Sequence, residues 1–339
     1  MSDASVAASV VARRDGRVGR ILLNRPKALN ALDPPMIRAC AKALAAWRDD
    51  PEIHAVVIEG AGERAFCAGG DIRAVRTHAM AGERAQVEAF FAEEYELNQS
   101  IAGYPKPYIA LIDGICMGGG IGLSVHGAYR VASEHAMFAM PETAIGFFPD
   151  IGATYFLPRL PGRLGLYLGL TGTRVPGADA VAAGLATHFV PREALPALSE
   201  ALARDGAAAL GARAQALPPS SLDKHRAAID DCFGEASIPA IVQRLQARGD
   251  AWAEETLATL RGMSPSALFW SFEAIRRGAA STLPQALARE LALTRSVSRH
   301  PDFHEGVRAM VVDKDREPKW QPARIEDVDP GDIERLFAG

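Results

Sequence analysis

The 339 residues include 37 Lys+Arg against 41 Asp+Glu, a formal charge of −4, and 48% are apolar. That balance excludes whole-chain disorder and argues against a dedicated nucleic-acid surface, while leaving room for a local basic pocket around a small phosphorylated ligand. The longest apolar stretch, Ile115–Val125, has eleven residues with four glycines, against about 20 needed to cross a bilayer.

Cys40, Cys67, Cys116 and Cys232 form no C-x-x-C pair. They read as small buried hydrophobes in a reducing compartment, not as zinc ligands or disulfides. Met1–Val11 has no positive segment ahead of an apolar one, and Arg13-Arg14 runs into Asp15-Gly16-Arg17. The expected location is cytoplasmic.

In chain order, Val18–Leu23, Ala55–Ile58 and Ala65–Cys67 have strand length and end in turn residues. Between them, Met36, Ile37, Cys40, Ala43, Leu44 and Trp47 follow a helical period, with Asp33 placed to cap it. A second round has Asp71 as a cap, a helix over Phe90–Ile101 and a strand at Tyr108–Ile112. Gly114–Gly122 follows, then a helix through Ala128 and strands near Tyr129–Ala132 and Ala136–Met140. This recurring strand–strand–helix rhythm predicts an α/β architecture. Beyond about residue 205 the apolar spacing turns helical and strands disappear, with Pro218-Pro219-Ser220-Ser221 as a break. The expected division is a core over 1–205 and a helical region over 206–339.

Two glycine clusters stand where a strand would run into a helix: Ala65–Ile72 and Asp113–Gly122. Neither fits G-x-G-x-x-G, and no G-x-x-x-x-G-K-[ST] loop exists. Each alone has an ordinary explanation as a tight turn. Together they offer two outward N–H groups, and one donor aimed at a developing oxyanion is worth roughly 3–4 kcal/mol. A thioester carbonyl suits such a pair, because its oxygen becomes an enolate or tetrahedral oxyanion.

Three acids stand beside this. Glu142 and Asp150 are the only charged residues from Ala136 to Thr154. Separately they read as a first-turn acid after Pro141 and a turn or capping residue; their shared apolar setting favours perturbed acidity. Glu94 lies on the helical face of Phe90, Phe91, Leu97 and Ile101, either reaching water at a boundary or entering a polar site. Ser124 and His126 belong to no G-x-S-x-G elbow. The eight histidines form no H-E-x-x-H, and no metal site is expected. Cys67 and Cys116 read as inert packing.

Leu22–Leu32 (LLNRPKALNAL), Phe66–Ile72 and Met117–Gly122 together resemble the marks of the crotonase (enoyl-CoA hydratase/isomerase) superfamily. Glu93-Glu94-Tyr95, Gly122–Gly127, Met140–Gly146 continuing to Phe148-Pro149-Asp150, and Asp302–Ala309 with Asp313-Lys314-Asp315 and Pro318-Lys319-Trp320 are similar to its 3-hydroxyisobutyryl-CoA hydrolase branch. The resemblance spans about residues 17–320 and implies a spiral of ββα units with a mostly helical C-terminal region. It implies oxyanion N–H groups from Gly70 and Gly119, catalytic acids at Glu142 and Asp150, and a substrate contact at Glu94. CoA would be held by the Asn24–Leu32 turn, with Lys27, Ala28 and Leu29, and by Ala68, Asp71 and Ile72.

Hydratases of the superfamily carry a second glutamate two residues after Gly-Gly-Gly, where this chain has Gly122. The implied activity is therefore hydrolysis of a short 3-hydroxyacyl-CoA, 3-hydroxyisobutyryl-CoA in valine breakdown. No cofactor is expected, since CoA is part of substrate and product. The alternatives are an enoyl-CoA hydratase or isomerase, and a non-catalytic acyl-CoA or RNA-binding member. The partner expected is the acyl-CoA alone, with no nucleic acid and no membrane, in a monomer or homo-oligomer.

Overall fold

The computed structural model describes residues 8–211, 217 and 219–338. Met1–Ala7 and Pro218, on which part of the N-terminal reading and of the Pro-Pro-Ser-Ser break rest, lie outside the described residues.

The chain opens with strands β1 (Val10–Asp15) and β2 (Val18–Leu23), then helix α1 (Pro34–Trp47). Next come β3 (Ala55–Gly60), β4 (Ala65–Cys67), α2 (Ile72–Met80) and α3 (Arg84–Ala102). The third round is β5 (Tyr108–Ile112), β6 (Ile115–Met117) and α4 (Gly119–Val125), followed by β7 (Tyr129–Ala132) and β8 (Met137–Ala139). Short strands β9 (Val175–Pro176) and β10 (His188–Phe189) complete two sheets, ordered β1-β2-β3-β5-β7-β10 and β4-β6-β8-β9. The first round places both β1 and β2 in the larger sheet; from β3 onward each pair (β3/β4, β5/β6, β7/β8) sends one strand to each sheet, and β2, β3, β5 and β7 pair in parallel with the counterpart one round away. The expected strand–strand–helix rhythm is thus the construction rule of the fold. From residue 219 onward every regular element among the described residues is helical.

Three expectations change. Helix α4 stops at Val125 and not at Ala128; the Gly127 N–H closes the last turn onto Ser124 O, and Gly127 passes so near Tyr108 that a β-carbon would sit 2.5 Å from the ring. Ile115–Met117 is a strand inside the second glycine cluster. The hairpin strand β1 has no apolar alternation because four of its six residues are exposed; it is held by pairing with β2 through the Gly16 turn at φ +61°.

Contacts group the chain into two compact units. The first comprises Met1–Gly70, Glu96–Phe138 and Val175–Pro218, the second Asp71–Tyr95, Ala139–Arg174 and Pro219–Gly339. In the first, Val18, Val57, Ile109, Leu111 and Val131 of the larger sheet pack on Leu198, Ala201 and Leu202 of the helix Leu195–Asp205. On the opposite face of β2, Gly19 lies against Trp47 of α1, where a β-carbon would come within 2.3 Å of the indole. In the second, Phe147 stacks on Phe91 (centroids 5.5 Å apart, 12° between planes) and on Phe148 (4.7 Å, 24°), with Phe303 at 5.5 Å. Gly146, at φ +66°, crosses Asp302 so closely that a side chain would strike its carbonyl.

Candidate active site

In the first unit the Asn24–Leu32 segment is a turn built on Asn30. Its buried amide accepts from Arg25 N (2.9 Å) and donates to Ala61 O (3.0 Å) and Ala65 O (2.9 Å). Leu29 and Asn30 both have positive φ, 52° and 55°, an unusual pair held by those bonds. Lys27 and Ala28 are exposed on the 3₁₀ turn Pro26–Ala28, and Leu29 O accepts from Ala68 N at 3.0 Å. Four of the six expected CoA contacts therefore belong to one hydrogen-bonded patch. Asp71 and Ile72 lie in the second unit, where the Asp71 side chain caps α2 by accepting from Ala74 N.

The two glycine turns meet in the first unit. Gly69, at φ +109°, is so placed that a β-carbon on it would stand 3.3 Å from Met117 O and 3.6 Å from Gly119 N. A β-carbon on Gly120 would come within 2.2 Å of Cys67 O. Main chain thus lies against main chain: at Gly120 only glycine fits the approach, and at Gly69 it is the positive φ that favours glycine. Leu32 N donates to Gly69 O and Ala68 N to Leu29 O, so the bonds around this turn leave the Gly70 N–H unused. Gly119 opens α4, where the first-turn N–H groups have no carbonyl of their own helix to reach. The helix bonds to Gly118 O are made by Ile121 and Gly122.

The second unit holds the acids. Glu142 begins a 3₁₀ turn after Pro141, and Asp150 precedes Ile151 and Gly152, at φ 57° and 82°. A β-branched residue in the left-handed region costs of order 1–3 kcal/mol and marks a loop fixed by its surroundings. Glu94, Glu142 and Asp150 are 2%, 6% and 6% exposed. Glu94 Oε1 and Glu142 Oε2 are buried without a hydrogen-bond partner, whereas Asp150 Oδ2 accepts from the Tyr95 hydroxyl at 2.7 Å. The water-reaching alternative for Glu94 is excluded by its burial.

Burial, and then the charge of Asp150, hold both Glu94 and Glu142 well above the ordinary carboxylate range. Burial also pushes Asp150 up to about 7, against the pull of the Tyr95 hydrogen bond. Three carboxyl groups sharing an apolar setting cannot all ionise near neutrality, so protons are held where a reaction can use them.

The remaining candidates are structural. Ser124 donates to Gly120 O and Ile121 O of its own helix. Cys67 and Cys116 are buried, and burial pushes the Cys116 thiol far up. Among the described residues no group of three or more His, Cys, Asp or Glu is arranged to hold a metal ion, and no helix is long and apolar enough to cross a membrane. Two residues had no role in the sequence reading. Tyr95 stands in the quoted Glu93-Glu94-Tyr95 motif, which gives it no role of its own. Glu290 sits in an Ala/Leu-rich helix, Leu283–Val297, with no local signal.

A family model described as enoyl-CoA hydratase/isomerase matches residues 18–337. The 3-hydroxyisobutyryl-CoA hydrolase, mitochondrial, of Xenopus tropicalis is 47% identical over 95% of this chain and 86% of its own. The human protein of that name is 43% identical over 98% and 89%. Among solved structures, a carnitinyl-CoA dehydratase from Mycobacterium thermoresistibile superposes with TM-score 0.93 at 41% identity, covering 98% of this chain and 96% of that one. An enoyl-CoA hydratase from Rhodobacter sphaeroides gives 0.92, also at 41%, covering 97% of each chain. With its ββα construction, glycine turns and buried acids, the chain belongs to the enoyl-CoA hydratase/isomerase family, the crotonase superfamily.

Proposed function

We propose that this protein hydrolyses a short 3-hydroxyacyl-CoA thioester, with 3-hydroxyisobutyryl-CoA and water giving 3-hydroxyisobutyrate and free CoA. The observation that carries the reading is Glu142, a buried carboxyl with one oxygen unpartnered and its acidity suppressed beside two other acids. Relatives 43–47% identical over nearly the whole chain, named for that substrate, supply the acyl group.

In this mechanism the thioester oxygen accepts from the N–H groups of Gly70 and Gly119, which stabilise the oxyanion as the carbonyl carbon becomes tetrahedral. Glu142 drives the attack. As base it takes a proton from water, its raised pKa making it stronger than a solvated carboxylate; as nucleophile it forms a mixed anhydride that water opens. Label from water entering the Glu142 carboxyl over several turnovers marks the anhydride route. Asp150, protonated in part near neutrality, gives its proton to the departing thiolate or holds the 3-hydroxyl, and Glu94 fixes the acyl group. Lys27, Ala28, Leu29, Ala68, Asp71 and Ile72 hold CoA, and the reaction uses no other cofactor.

The solved neighbours named dehydratase and hydratase favour a second reading, addition or removal of water across a double bond. Against it stands Gly122, buried in α4, where hydratases place their second glutamate. Addition of water needs an acid and a base acting on one molecule. The curated relatives are named mitochondrial; a role in valine breakdown and a cytoplasmic, reducing location complete the proposal, the latter in keeping with four free buried cysteines.

Thiol trapping on 3-hydroxyisobutyryl-CoA, beside the enoyl-thioester absorbance of crotonyl-CoA, tests it. Thiol release with an unchanged enoyl band is expected. Loss of the enoyl band without thiol release would replace this reading with the second.

A further inference from the structure

Asp150 sits at the head of a turn closed by its own carbonyl, which accepts from Ala153 N at 2.8 Å, but no side-chain cap secures the helix that follows. Ile151 is forced to φ 57°, and Gly152, at φ 82°, precedes the short helix Ala153–Phe156 with no side chain to cap it. The missing partner comes from far along the chain. Glu290, 1% exposed on the helix Leu283–Val297, accepts from Gly152 N at Oε2 (2.7 Å). Its Oε1 accepts from Thr154 N (3.0 Å) and the Thr154 hydroxyl (2.6 Å). From a second side, Gly278 packs so tightly that a β-carbon would lie 1.7 Å from Thr154 O.

A carboxyl group is costly to bury, and an apolar core would not require one here. All three bonds converge on Gly152 and Thr154, one and three residues beyond Ile151, the strained position next to Asp150. We infer that Glu290 is a positioning residue: by clamping the 150–154 turn it sets the direction of the Asp150 carboxyl, whose other fixed contact is the Tyr95 hydroxyl at 2.7 Å. The inference rests on the hydrolase reading above. Glu290 touches neither substrate nor reacting atoms in it.

The test uses full-length Glu290→Gln and Thr154→Val, assayed for thiol release on 3-hydroxyisobutyryl-CoA beside wild type. Gln keeps the shape but turns an amide NH₂ toward a main-chain or hydroxyl donor. It should lower kcat about 10- to 100-fold with KM within about twofold, since a misdirected reacting group costs rate more than binding. Thr154→Val removes one of the three bonds and should lower kcat about threefold, again at constant KM. A folded Glu290→Gln with wild-type kcat, or a rise in KM alone, overturns the inference. If Glu290→Gln does not fold, Thr154→Val decides: wild-type kcat overturns, and the selective kcat loss supports. Wild-type enzyme that releases no thiol overturns the hydrolase reading itself, and the inference with it; that result is separate from any variant-to-wild-type ratio.

Discussion

In the first compact unit the groups proposed for the thioester oxygen are all main chain: the amides of Gly70 and Gly119, in turns where Gly69 takes φ +109° and Gly120 leaves no space for a side chain against Cys67 O. In the second the proposed reacting groups are all buried carboxyl side chains, Glu94, Glu142 and Asp150, in a unit that also holds the stacked rings of Phe91, Phe147 and Phe148. A main-chain amide neither titrates nor needs a particular side chain, so its function is encoded by absence of bulk. A carboxyl gains its reactivity from what surrounds it. The first region should therefore fail through sterics and the second through electrostatics, and that contrast can be broken experimentally.

The largest loss short of removing Glu142 is expected from Gly69→Ala. A methyl at φ +109°, 3.3 Å from Met117 O, must displace the turn that carries Gly70. kcat should fall about 10²–10³-fold, with a stability cost of about 1–2 kcal/mol by thermal unfolding. The pH profile should keep its shape. A changed profile would mean the two regions do not fail in different ways.

Asp150→Asn should lower kcat about 10²-fold and remove one limb of the pH–rate profile. Tyr95→Phe sharpens the point with about a tenfold loss. The Tyr95 hydroxyl favours the Asp150 carboxylate, so its removal raises the Asp150 pKa above about 7. With Asp150 acting as the acid, activity is lost as pH rises through that pKa, and the alkaline limb of Tyr95→Phe should move upward. A limb that moves down would contradict the assigned sign.

The smallest effect is on stability. Asp150 rises from 3.8 to about 7 and Glu290 from 4.5 to about 8 on folding. The folded state thus binds protons more tightly than the unfolded state. This contribution is complete below pH 4 and is lost as pH rises to about 8. Melting measured from pH 5 to pH 8 should show a decline that Asp150→Asn reduces by roughly 1–2 kcal/mol.

Much of this was legible in the residues. Asp33 and Asp71 cap the helices they precede, accepting from Met36 N and Ala74 N, because capping is written within four residues. The strands Val18–Leu23, Ala65–Cys67, Tyr108–Ile112 and Tyr129–Ala132 fall where their apolar runs placed them. The edge strand Val10–Asp15 was missed because an exposed strand needs no apolar period. Glu94 could be placed on its helix face but not in or out of water, since what covers that face comes from far along the chain, as Phe147 does in stacking on Phe91, more than 50 positions away. Glu290 left no trace at all: its partners, Gly152 and Thr154, are 138 and 136 residues distant. Local chemistry reads from sequence; the partner that fixes a strained turn does not.

The most direct measurement is of Glu142→Gln, which keeps the size of the side chain and removes its ability to attack or to accept a proton. Acyl-CoA affinity by calorimetry should stay within about threefold of wild type while thiol release falls at least about 10³-fold. A Glu142→Gln enzyme that releases CoA at the wild-type rate would contradict the account.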